Sequence, residues 1–383
     1  MPLRVDVQPE FFPWAVERAR LDWDDLVFRF KRLPEWVTGK SKPTFKQLQS
    51  FASATHAPIG FFFLPQPPEE PLPLADFRTL EGADVGPPSA DLLDTIYICQ
   101  QRQDWFREFA LTSRMEPLPF IGSTNVGASP EEVAREVSKT LGFDVEKRRA
   151  CASWDEAFRH LVGQCEDNGI LIMVNGVVGN NTRRVLDIGE FRGFCLSDRL
   201  APVVFVNGAD SKSAQMFTLV HEVAHLWLGD VGVSNASLAA PSARVNEIWC
   251  NAVAAEVLVP RQLLLEAAGG DALREKVARL TRSFKVSSLV ILRRLFDVKL
   301  LNGEHFQAAY AAEVTRLKTL KEGTASGGSF YNTEAVRVSK RFATAILVST
   351  LEGTTLFRDA ARLLGIKKVS TLNEFAARLG VNS

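Results

Sequence analysis

Between Leu64 and Leu80 the chain reads LPQPPEEPLPLADFRTL, and the prolines at 65, 67, 68, 71 and 73 rule out a helix interior along that stretch. Each ring fixes φ and removes a backbone donor, so a semi-extended linker is expected over residues 67–88. A chain of 383 residues interrupted in this way is expected to fold as more than one unit. Before the linker, Pro9–Arg20, Trp23–Phe30 and Phe45–Thr55 carry apolar residues at three- and four-residue spacing, the pattern of short amphipathic helices. Asp22 and Thr44 stand where N-caps are useful, and Gly39 and Pro43 break the pattern between elements. Residues 1–66 therefore read as one helical domain.

Helical periodicity returns from Ser89 to about Glu116, with Tyr97, Trp105, Phe106 and Phe109. Two runs, GILIMV (Gly169–Val174) and PVVFVN (Pro202–Asn207), are short, apolar and β-branched, as strands are. The last hundred residues are again helical, interrupted by KEGTASGGS at Lys321–Ser329. The expected fold class is α+β and mainly helical: a short sheet in a central domain, 89–270, and a helical C-terminal domain, 271–383.

Composition excludes several classes. With 46% hydrophobic residues the chain can build a core and is not expected to be disordered. Lys plus Arg (45) equals Asp plus Glu (45), so no overall field draws it to nucleic acid or anionic lipid. Five cysteines without a CxxC pair argue against a disulfide framework and for reduced, mostly buried thiols. The start, MPLRVDVQPE, lacks the basic-then-apolar order of a signal peptide. No apolar run approaches the roughly 20 residues needed to span a bilayer. A soluble, cytoplasmic protein without a membrane partner is expected.

The chemistry lies in QMFTLVHEVAHLWLGD, Gln215–Asp230. Helix positions four apart lie about 40° from one another, so His221 and His225 project from one face and can share a metal. Phe217, Val220, Val223, Ala224 and Trp227 make that helix apolar enough to bury, with Thr218 and Gly229 near its expected start and stop. Two neutral imidazoles suit Zn²⁺. Glu222, beside the first ligand, is placed to take a proton from an attacking water while zinc polarises a scissile carbonyl.

An open coordination position requires a third protein ligand. RVNEIWCNAVAAEVLVP, Arg244–Pro260, reads as a second buried helix. A carboxylate at Glu247, among Ile248, Trp249, Val253 and Ala254, is costly to bury without a partner, and a metal is a good one. Asn251, four residues on, shares its face and is a candidate to hydrogen-bond a ligating histidine. Glu256 is the competing ligand, about 180° round the helix from Glu247, so the two do not serve together.

FTLVHEVAHLWLGD followed by NEIWCNAVAAEVLVP resembles the ImmA/IrrE family of bacterial metallopeptidases, and GFCLSDRLAPVVFVNGAD (Gly193–Asp210) resembles the strand leading to that family's active-site helix. The resemblance is specific over about residues 160–265. It implies a gluzincin-like, zincin-type core with Glu247 as third ligand, and cleavage of a regulatory protein, typically a repressor. Trp249 departs from the family, which often carries a charge there. The N-terminal region resembles a repressor-type helix-turn-helix through Trp36, Gly39, Lys40 and Pro43-Thr44, although Leu26–Gly39 leaves little room for a turn and a recognition helix. Lys31, Arg32, Lys40, Lys42 and Lys46 are candidates for phosphate contacts, offset by Asp22, Asp24, Asp25 and Glu35. Weak DNA binding and protein docking are equally open for this region.

A zinc endopeptidase is thus the leading expectation. The alternatives are a DNA-binding regulator with a structural or sensory zinc, and an inactive adaptor. Glu222 favours catalysis, because a structural zinc usually closes with a fourth protein ligand. A strand edge near Pro202–Asn207 is expected to be exposed and able to pair with an extended substrate. His160, His305, Arg244 and Tyr331 are oxyanion-stabiliser candidates by chemical type alone.

Overall fold

The computed structural model describes residues 3–77, 87–230, 232–234, 245–270, 272–321 and 335–381, with side chains left aside at 75–77, 233–234 and 318–321. Arg244, Tyr331 and all but the first residue of the Lys321–Ser329 loop lie outside the described residues. The chain divides into two units, one of residues 1–73 and 85–97 and one of 74–84 and 98–383. The fold is a mainly helical α+β one.

The first unit is built by α1 (Phe11–Arg18), α2 (Trp23–Arg29), α3 (Leu33–Val37), α4 (Phe45–Ala54) and a 3₁₀ turn at Ile59–Phe63. Asp22 caps α2 by accepting from Asp24 N and Asp25 N, and Thr44 forms a reciprocal capping box with Gln47. Phe11, Phe12, Trp36, Phe51 and Phe62 form the aromatic centre, with Phe12 and Phe51 edge-to-face at 5.4 Å. Arg18 pairs with Glu70, tying the proline-rich segment back to α1. α3 has only five residues: Thr38 caps its end, and Gly39 then takes a positive φ.

In the second unit a five-stranded sheet runs in the order β1 (Ala75–Phe77), β7 (Gly232–Ser234), β5 (Gly193–Leu196), β6 (Val203–Asn207) and β2 (Leu171–Asn175). β6 pairs parallel with β2 and antiparallel with β5, so every residue of it is buried. The expected exposed edge at Pro202–Asn207 is therefore not there. An unbroken apolar strand such as VVFV is stable only with neighbours on both sides, and the sheet closes over it. β1 arises from the expected linker: shortly after Pro73, three residues pair parallel with β7. A separate hairpin joins β3 (Val177–Val178) to β4 (Asn181–Val185).

Helices pack on this sheet and on one another. In chain order they are α5 (Ala90–Thr112, within which the partition falls), α6 (Pro130–Leu141), α7 (Val145–Ala150), α8 (Trp154–Asp167), α9 (Lys212–Leu228), α10 (Val245–Leu258), α11 (Arg261–Ala267), α12 (Leu273–Phe284), α13 (Ser288–Asp297) and α14 (Gly303–Lys321). α9 packs on β5 and β6 on one side and on α10 on the other. One apolar core runs continuously from Phe120 through α9 and α10 to Phe306. Three later helices, Lys340–Leu351, Phe357–Leu364 and Val369–Arg378, attach to the same unit: Ser339 Oγ donates to Glu166 at 2.5 Å and Arg102 Nε to Leu363 O at 3.0 Å. Among the described residues no single helix is long and apolar enough to cross a membrane.

Candidate metal centre

α9 is set by its two ends. Ser211 caps the start, accepting from Ala214 N, so the helix begins well before the expected Thr218. Gly229 ends it in the left-handed conformation, φ 75°, where a side chain would be strained. The final carbonyls are taken by a loop: Gly122 N donates to Leu226 O at 3.0 Å and Thr124 N to Trp227 O at 3.1 Å, while Phe120 stacks on Trp227 at 4.5 Å. Leu219, Val220, Val223, Leu226 and Trp227 are fully buried. Each gains about 1.5–3 kcal/mol, which offsets the cost of holding imidazoles and carboxylates out of water.

His221, Glu222 and His225 are buried on this helix, and Glu247 is buried in the first turn of α10. His221 Nε2 and His225 Nε2 lie 3.2 Å apart. Glu247 reaches both, with Oε2 3.3 Å from His221 Nε2 and Oε1 3.0 Å from His225 Nε2. One ligand atom from each of the three residues falls within 4.8 Å of the others, a group that can hold a metal ion. Burial alone would raise the Glu247 pKa, but the two imidazoles hold it far below the carboxylate range. For His225 burial works downward, and Cys250, Asp230 and Glu247 outweigh it, lifting the ring well above its ordinary value.

Glu222 Oε1 lies close against the start of β5 at Gly193: a Cβ there would lie 3.1 Å from that oxygen and 2.6 Å from Thr218 Cγ2. Thr218 and Phe217, one turn before Glu222 and His221, begin a cavity of about 1490 Å³ bounded by α9, α12, α13 and α14. The His–His–Glu cluster does not itself line that cavity.

Other candidates go elsewhere. Glu256 accepts from Arg261 N at 3.0 Å and pairs with the buried Arg294, away from the cluster. Asn251 Oδ1 is buried with no hydrogen-bond partner among the described residues. The side chain on His225 is instead Asp230, whose Oδ2 lies 3.4 Å from His225 Nδ1 and accepts from Asn246 Nδ2 at 2.7 Å. Asp230 was legible only as the residue closing HLWLGD, five positions after His225. No hydrogen bond or ring contact among the described residues joins His160 or His305 to the cluster. All five cysteines are free thiols, four of them buried. Burial pushes Cys250, beside His225, up to about 11.

Residues 338–378 match the model of a domain of unknown function (DUF8813), and no curated protein matches the chain. Residues 165–296, the stretch that carries all four clustered side chains, match the peptidase M78 family model, the IrrE N-terminal-like domain, which supports the ImmA/IrrE resemblance and a metallopeptidase-type function.

Proposed function

We propose that this protein is a zinc-dependent endopeptidase that cleaves a regulatory protein, such as a transcriptional repressor. The reading is carried by the convergence of two imidazole nitrogens and one carboxylate at 3.0–3.3 Å, beside a further buried carboxylate. Zinc–ligand bonds of about 2.0–2.1 Å in a tetrahedron put neighbouring donor atoms about 3.3–3.4 Å apart, so the donor set fits the ion. His221, His225 and Glu247 would hold it and leave a fourth position open, in a gluzincin-like arrangement.

When bound, zinc would supply Lewis acidity towards the scissile carbonyl and the attacking water. Glu222 is the general base: it takes the water's proton and passes it to the departing amine. The neighbouring cavity, which begins at Thr218 on the Glu222 side of α9, supports substrate approach from that end. The N-terminal unit contributes no more than weak DNA contact in this reading.

The test uses the full chain with a transcriptional regulator nominated by its gene neighbourhood as the candidate substrate. Wild type should carry one zinc and cleave that regulator. Glu222→Gln should keep the zinc and lose cleavage by about 10²- to 10⁴-fold. Undiminished cleavage or signalling by Glu222→Gln would overturn the peptidase reading in favour of a DNA-binding regulator with a structural or sensory zinc.

A further inference from the structure

We infer that Asp230 and Asn246 form a clasp that orients His225 for metal binding and holds the helix bearing Glu247 against it, an inference that rests on the metal-site reading above. Asp230 follows the glycine that ends α9, and its own N–H donates to His225 O at 3.0 Å. Cys195 Sγ on β5 donates to the Asp230 carbonyl at 3.5 Å, so the aspartate is anchored to the sheet as well as to the helix. Its carboxylate is then presented to the far side of the imidazole, 3.4 Å from Nδ1.

An imidazole ligates through one nitrogen only if that atom is unprotonated, and the partner of the other nitrogen decides the tautomer. With the Nδ1 hydrogen directed to Asp230, the lone pair is left on Nε2, the nitrogen facing Glu247 and His221. His221 is held differently. Its Nδ1 is buried without a hydrogen-bond partner among the described residues, and its ring is positioned by packing, with Phe217 at 6.3 Å.

The same Asp230 oxygen accepts from Asn246 Nδ2 at 2.7 Å, across sixteen sequence positions. Asn246 immediately precedes Glu247, so this bond joins the end of α9 to the beginning of α10 where the two helices supply their metal-facing groups. Asp230 therefore acts on both His225 and, through Asn246, Glu247. It is a positioning residue and touches neither substrate nor metal.

Zinc affinity by chelator competition, on the full chain, tests the clasp. The absorption spectrum of the cobalt(II)-substituted protein and the Tm of the metal-free protein accompany it. Asp230→Ala should weaken zinc about 10- to 100-fold and alter the cobalt spectrum. Asp230→Asn keeps an oxygen for both donors and should recover part of that loss, and Asn246→Ala should fall between the two. The metal-free Tm of these variants should stay within roughly 3 °C of wild type. Wild-type affinity and spectrum in Asp230→Ala, or a lowered metal-free Tm with unchanged affinity, would overturn the clasp and leave the metal site standing. Failure of the wild-type protein itself to bind zinc would remove the metal-site reading and the clasp together.

Discussion

Gly193 and Glu222 are neighbours that leave no space between them: a Cβ at Gly193 would sit 3.1 Å from Glu222 Oε1, 2.8 Å from the Phe205 carbonyl and 2.6 Å from Thr218 Cγ2. The strand that lines α9 begins with the one residue able to lie under the carboxylate. Since the Phe205 carbonyl belongs to β6, an interior strand paired on both sides, it cannot give way cheaply. Gly193→Ala should destabilise by about 1–3 kcal/mol, as overpacking does, and displace Glu222. Thermal unfolding would show the first effect. A drop in cleavage at full zinc occupancy, beyond the loss of folded protein, would show the second.

Glu247 and Glu256 lie on the same helix and should fail differently. Glu247→Ala removes a carboxylate that faces both imidazoles, and zinc content should fall well below one per chain. Glu256→Ala should leave zinc content nearly unchanged and strand the buried Arg294, at a cost on the order of 3 kcal/mol. Metal analysis together with denaturant unfolding separates the two, and the reverse pattern would reassign the ligand.

For DNA, the five-residue α3 and balanced charge lead to a plain expectation. The full chain should bind duplex DNA weakly, with steep loss of affinity as salt rises, because such contacts are to phosphates. Fluorescence anisotropy between low and physiological salt checks this, and tight sequence-selective binding at physiological salt would refute it.

Asp198 supplies a pH-dependent test away from the metal site. Burial pushes its pKa up, but hydrogen bonds from Arg107 and from the amides of Leu200 and Ala201 outweigh that and hold it below the ordinary carboxylate value. A depressed carboxyl pKa contributes stability that is present above the unfolded value and lost as pH falls through the folded one. The Tm gap between wild type and Asp198→Asn should therefore be widest above about pH 5 and close progressively below pH 4. A gap that stays constant across that range would show that Asp198 acts by packing alone.

What the amino-acid sequence by itself determined here is local. A helix repeats every 3.6 residues, so HEVAH had to put both imidazoles on one side of α9, and their Nε2 atoms lie 3.2 Å apart. Asp22 and Thr44 cap their helices for the same reason, because a cap needs only the next three residues. Glu247 was legible as a carboxylate in an apolar helix, since burying it alone is too costly. What only the tertiary structure decided are relationships across long separations. β6 became an interior strand, and three residues shortly after Pro73 became β1 beside β7, because strand pairing depends on backbone partners that no local pattern names. Asp230, Asn246 and Gly193 likewise matter only once β5, α9 and α10 are packed together. Hydrogen bonding and steric exclusion act over a few ångströms of space, whatever the distance along the chain.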